Sequence, residues 1–145
     1  MRTGSISLTI DSQFQHVFLV GIAVQRVCSW IPSNDQSALE METAVVEAVN
    51  NSIEHACHNQ PGYPITTRMN LRKDRITFVI SDGGDAVAGL PEMPVLDDQQ
   101  GGPPERGRGL QIMRAVMDEV AYWTDGSANS LTMVKYLPIV GLNDV

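Results

Sequence analysis

The chain has 145 residues, of which 43% are apolar, and a formal net charge of −7; this suits one domain spanning 1–145 with a core of its own. An acidic chain with no Lys/Arg stripe repels polyanions, which argues against nucleic acid as a partner. No apolar run approaches the roughly 20 residues that cross a bilayer, and the first five residues (MRTGS) lead into polar alternation instead of a signal-peptide core, so the sequence reads as cytoplasmic and independent of membranes.

Residues 5–10 (SISLTI) alternate with period two and predict a strand with Ile6, Leu8 and Ile10 on one face. Asp11 or Ser12 can cap the amphipathic helix that follows. It places Phe14, Val17, Phe18, Gly21, Val24, Cys28 and Ile31 at three- and four-residue spacings and ends at Pro32. Ser33 or Asn34 opens a longer helix reaching about Asn59, before Pro61-Gly62. On that helix Ala38, Met41, Val45, Val49, Ser52, Ile53 and Ala56 share a core-facing third of the circumference, and Glu40, Glu47, Asn51, Glu54 and His58 lie opposite. Cys28 and Cys57, set in these helical patterns among mostly apolar neighbours, read as reduced core thiols.

Residues 65–72 and 75–81 alternate on either side of Lys73-Asp74 and predict a hairpin. The twenty-odd residues after Asp82-Gly83-Gly84-Asp85 carry four prolines and little periodicity, which marks a functional loop or lid over about 85–106. Gly107-Arg108-Gly109-Leu110 opens a helix with Leu110, Met113, Val116 and Met117 on its apolar side. Residues 120–124 and 131–137 close the chain as a hairpin around Asp125-Gly126. The order predicts an α+β two-layer sandwich with a mostly antiparallel sheet and helices on one face.

Three segments combine into more than ordinary turn and helix chemistry: Glu47 with Asn51, one turn apart on a helix; Asp82-Gly83-Gly84 at a strand end; and Gly107-Arg108-Gly109-Leu110 at a helix start. In order and spacing, over nearly the whole chain, they resemble the ATP-binding boxes of the GHKL superfamily, which has the Bergerat fold. Within it the likeness is to the anti-sigma factor serine-protein kinases. Residues 47–55 (EAVNNSIEH) look like their acid-and-asparagine box, 80–85 (ISDGGD) like their adenine box, and 107–113 (GRGLQIM) followed by 117–120 (MDEV) like their lid-and-helix box. This lid box has fewer glycines than the family often has, and the segment before it is rich in proline and acid.

The resemblance implies ATP with Mg²⁺ and a role for each box. Residues at i and i+4 on a helix face one ligand, so Asn51 offers a neutral oxygen to Mg²⁺ on the triphosphate. Glu47 is the base that accepts the proton of an attacking hydroxyl. Asp82, an acceptor only, takes the exocyclic amine of adenine and rejects guanine; Gly84 lets the backbone approach the base. Gly107 and Gly109 expose N–H groups at a helix N-terminus that favours phosphate, beside Leu110 and flanked by Arg106 and Arg108. Ser130 stands where the family has a threonine that helps the aspartate hold adenine.

The implied activity is a protein serine kinase that phosphorylates a small STAS-type anti-sigma-factor antagonist and alternately sequesters a sigma factor, with a homodimer implied by the resemblance alone. The alternative is a non-catalytic, nucleotide-dependent binding module; Glu47 favours the enzyme, because a scaffold needs no base there. A histidine-kinase catalytic domain is weakened by the lack of a preceding phospho-acceptor helix. A zinc site at His55, Cys57 and His58 lacks a fourth ligand.

Overall fold

Strand alternation sets the architecture. In the computed structural model, which describes residues 3–32, 34–85 and 104–138 and side chains of the last span from 109 onward, five strands form one antiparallel sheet. They are β1 (Gly4–Asp11), β2 (Pro64–Leu71), β3 (Arg75–Asp82), β4 (Glu119–Thr124) and β5 (Asn129–Tyr136), in the order β1-β2-β3-β5-β4. Ile65, Thr67 and Met69 on β2, Ile76, Phe78 and Ile80 on β3, and Leu131 and Met133 on β5 are buried, while the residues that alternate with them are not. One face of the sheet therefore carries the core and the other is polar. The α+β two-layer sandwich expected from the sequence is the fold observed.

Three helices cover the apolar face: α1 (Val17–Cys28), α2 (Asp35–Asn51) and α3 (Pro104–Val116), with α2 packed against both of the others. Val20, Val24, Met41, Val45, Val49 and Met113 join the strand residues in one cluster. Asn34 caps α2, its Oδ1 accepting from Ser37 N–H at 2.7 Å. Among the described residues no helix is long and apolar enough to cross a membrane.

Several boundaries differ from the sequence reading. The first helix begins with a 3₁₀ turn (Phe14–His16) and ends at Cys28, short of Ile31. Its buried stripe is Val17, Val20, Gly21, Val24, Val27 and Cys28, which leaves Phe14 and Phe18 50% and 60% exposed. The helix is apolar nearly all round, so its spacing fits two overlapping stripes and only the packed structure selects one. The second helix stops being α-helical at Asn51, eight residues before the expected end, and continues as a π turn (Ser52–Ala56). Helix α3 begins at Pro104, ahead of Gly107. Strand β5 begins at Asn129, two residues before the expected 131. Most of the expected lid, residues 86–103, lies outside the described residues.

One buried polar atom has no partner among the described residues: Thr67 Oγ1, on a fully buried side chain whose strand neighbours are Leu8 and Ile80. A buried hydroxyl left unbonded costs about 1–3 kcal/mol. Thr67→Val removes the hydroxyl and keeps the branched shape, so it should stabilise by about 1 kcal/mol and raise Tm by roughly 2–4 °C. Calorimetric melting checks this; an unchanged or lowered Tm would show that the hydroxyl is satisfied.

Candidate functional site

The end of β3 is held by a carboxylate with three donors. Asp82, 8% exposed, accepts from Gly84 N–H at 2.9 Å and from Asn129 Nδ2 at 2.7 Å through Oδ1, and from Ser52 Oγ at 2.9 Å through Oδ2. Asn129 is opposite Asp82 because β3 and β5 pair in that register. Ser52 comes from the first residue of the π turn. Buried ionisable oxygens are tolerated when donors surround them, and here the donors come from the strand's own turn, a neighbouring strand and a helix end.

The π turn also explains why the helix stops. Cys57 N–H reaches back five residues to Ser52 O at 2.9 Å, and the Ala56 carbonyl accepts from Asp85 N–H at 2.9 Å instead of from a later helical amide. His58 and Asn59 then take positive φ values of 53° and 59° and turn the chain out of the helix. His58 Nε2 meets Asp85 Oδ2 at 2.7 Å. Gly84 makes the contact feasible, since a methyl there would lie 2.3 Å from Ala56 O. Gly84 thus permits a close approach to the π turn of its own chain.

Helix α3 crosses α2 at the other functional pair. A methyl on Gly109 would lie 3.0 Å from Glu47 Oε2 and 3.3 Å from Asn51 Nδ2, so the missing side chain leaves Glu47 and Asn51 open along that face. Both side chains are half-buried, and neither makes a hydrogen bond among the described residues. Asn51 and Asp82 line the same cleft, together with Ser52, Ile80 and Asn129. The structure therefore brings Glu47, Asn51, Asp82 and Gly109 into one neighbourhood.

Other expected residues are placed differently. Because α3 starts at Pro104, Gly109 sits inside the helix, where its N–H belongs to the helical ladder instead of lying free at the terminus; Gly107 is also within the helix. Leu110 is buried in the hydrophobic cluster. The side chains of Arg106 and Arg108 lie outside the described residues. Ser130 borders the cleft, but strand alternation sends its side chain to the polar face between Ser81 and Trp123, and the residue bonded to Asp82 is Asn129. Sequence reasoning missed Asn129 although the signal was there: it shares the period-two phase of Leu131 and Met133 and so must face inward.

Neither cysteine is in a disulfide among the described residues, and both are buried. Burial first, then the negative charge of Asp82, pushes the Cys57 thiol up to about 11; burial and Glu42 push Cys28 up to about 12. Near neutral pH both are protonated and poorly nucleophilic. Among the described residues, no three His, Cys, Asp or Glu side chains converge on one point.

The two glycines predict opposite outcomes. Gly84→Ala drives a methyl into backbone and should destabilise by about 2–3 kcal/mol, whereas Gly109→Ala meets only the ends of the Glu47 and Asn51 side chains and should leave stability nearly unchanged. Thermal melts of both variants check this; equal Tm values would remove the packing argument for Gly84.

Residues 12–135 match the family described as the Histidine kinase-like ATPase domain. Among individual proteins, the chain is similar to the serine-protein kinase RsbW of Bacillus velezensis, 26% identical over 144 residues that cover 91% of this chain and 85% of that protein. It is 25% identical over 144 residues to the RsbW of Bacillus subtilis, with the same coverage of both chains. The anti-sigma F factor of Oceanobacillus iheyensis is 28% identical over 120 residues, which cover 79% of this chain and 80% of that protein.

Proposed function

The chain belongs to the Histidine kinase-like ATPase domain family, and from that premise we propose that it is an ATP-dependent protein serine kinase acting on a small STAS-type antagonist, and an anti-sigma factor. The observation that carries the reading is the pairing of Glu47 and Asn51, half-buried and unbonded among the described residues, beside Gly109, with Asn51 lining the cleft that ends in Asp82. Relatives named serine-protein kinase and anti-sigma F factor support the substrate and partner classes.

The residues fit ATP and Mg²⁺. Asp82 is a fixed acceptor suited to an exocyclic amine, and the space over Gly109 leaves the carboxamide of Asn51 free to take a hard cation. When bound, Mg²⁺ neutralises charge on the phosphates. Glu47 orients the serine hydroxyl and accepts its proton as the serine oxygen bonds to the γ-phosphorus and the bond to the ADP oxygen breaks. A phosphate on the antagonist adds negative charge facing a chain of net charge −7, which favours release of the product.

Two substitutions separate the roles. Glu47→Gln keeps shape and hydrogen bonding but removes the base, so calorimetric ATP binding should persist while transfer of labelled phosphate to the antagonist falls by roughly 10²–10⁴. Asn51→Ala should impair both Mg²⁺-dependent binding and transfer. Wild-type transfer rates in Glu47→Gln would exclude Glu47 as the base. ATP-dependent binding of the antagonist with no phosphorylation by the wild-type protein would replace the kinase with a binding module.

A further inference from the structure

At one corner of the sheet the helix layer stops short. Helix α1 ends at Cys28, Trp30 after it is 62% exposed, and Ile6, on the inner face of β1, is 48% exposed. Between them lies a mostly apolar groove of about 380 Å³, lined by Gly4, Ile6, Arg26, Val27, Trp30 and Leu71. Leu71 pairs with Gly4 and Ile76 at this end of β2, whereas Ile65 pairs with Asp82 at the other. At about 3.3 Å per residue the groove is therefore roughly 20 Å along the strand from the cleft.

The strand beside the groove is a free edge. Among the described residues β1 pairs with β2 alone, so the N–H and C=O groups on its other side are open to a further strand. Residues 4–10 (GSISLTI) carry none of the charges or prolines that commonly blunt such an edge. Cations flank it on both faces. Arg26 lines the groove on the helix side, and on the polar face Arg68 reaches across β1, its Nε donating to Ser7 Oγ at 3.2 Å. Arg72 and Lys73 follow Leu71 in the turn to β3. Arg26, Arg72 and Lys73 make no ion pair or side-chain hydrogen bond among the described residues. In a chain of net charge −7, this corner is therefore suited to acidic groups.

We propose that the β1 edge and its groove dock an extended segment of a partner protein in which apolar and acidic residues alternate, added to the sheet as a further strand. Period-two alternation sends one set of its side chains into the groove against Ile6 and Trp30, and the other over the polar face toward Arg68. Main-chain hydrogen bonds to β1 supply affinity, and the cations select acidic over basic segments. An acyl chain would fill the groove but leave the edge and Arg68 unused.

The probe is a short, capped, fluorescein-labelled peptide alternating leucine and glutamate, titrated by fluorescence anisotropy against wild-type protein, Arg26→Glu, Arg68→Glu and Trp30→Ala. All three positions are exposed, so the variants should melt like wild type. The expected result is saturable binding by wild type, weakened about tenfold or more by each substitution, with the peptide slowing hydrogen exchange of β1 amides. No binding, or binding that all three variants leave intact, overturns the inference. A leucine–lysine twin that binds equally well overturns the charge selection, and a serine–glutamate twin that binds equally well overturns the role of the groove. Displacement of the peptide by dodecanoate with no protection of β1 would make the groove an acyl site. Variants that dissociate a dimer in sedimentation, from a wild type that ignores the peptide, would make this face a contact between copies. Either outcome overturns the inference as well.

Discussion

A single buried carboxylate organises this end of the molecule. Asp82 needs donors because it is largely removed from water, and its three donors come from three directions: the turn after β3, the first residue of β5, and the helix end at Ser52. Satisfying it ties the helix layer to the sheet. The π turn follows from that tie, since Ser52 must reach Asp82 while the Ala56 carbonyl leaves the helical ladder for Asp85 N–H. Only a glycine at 84 lets the two backbones come that close.

The second constraint is at Gly109, where α3 passes over α2. A side chain there would fill the space in front of Glu47 and Asn51, so one missing Cβ keeps a carboxylate and a carboxamide open, and Asn51 lines the cleft that Asp82 closes. The site thus spans from the strand end at Asp82 to the last turn of α2. Under the proposed function Asp82 receives the base at one end and Glu47 takes the proton beside a metal-holding Asn51 at the other, a layout that suits phosphoryl transfer from a nucleotide.

Much of this was legible in the sequence. Period-two alternation identifies all five strands, and the four-residue spacing of Glu47 and Asn51 puts them on one side of a helix. The failures have physical causes. Phe14 and Phe18 fit a helical stripe, but α1 is apolar on more than one face, and burial follows what the sheet offers. The end of α2 is decided by long-range bonds to Asp82 and Asp85, which helix periodicity does not contain. Ser130 matches the family pattern by likeness alone, whereas hairpin register and strand alternation place Asn129 against Asp82. The glycines at 107 and 109 suggested a helix start because they are poor helix formers, whereas packing against α2 carries the helix through them.

The account stands or falls on Asp82 as the residue that receives the base. Calorimetric titration of Asp82→Asn with Mg·ATP tests this most directly, because the substitution keeps the size of the side chain while replacing an ionic acceptor oxygen with an amide donor. Binding should weaken by about 1–3 kcal/mol relative to wild type. An Asp82→Asn protein that melts like wild type and binds ATP with undiminished affinity would contradict the account.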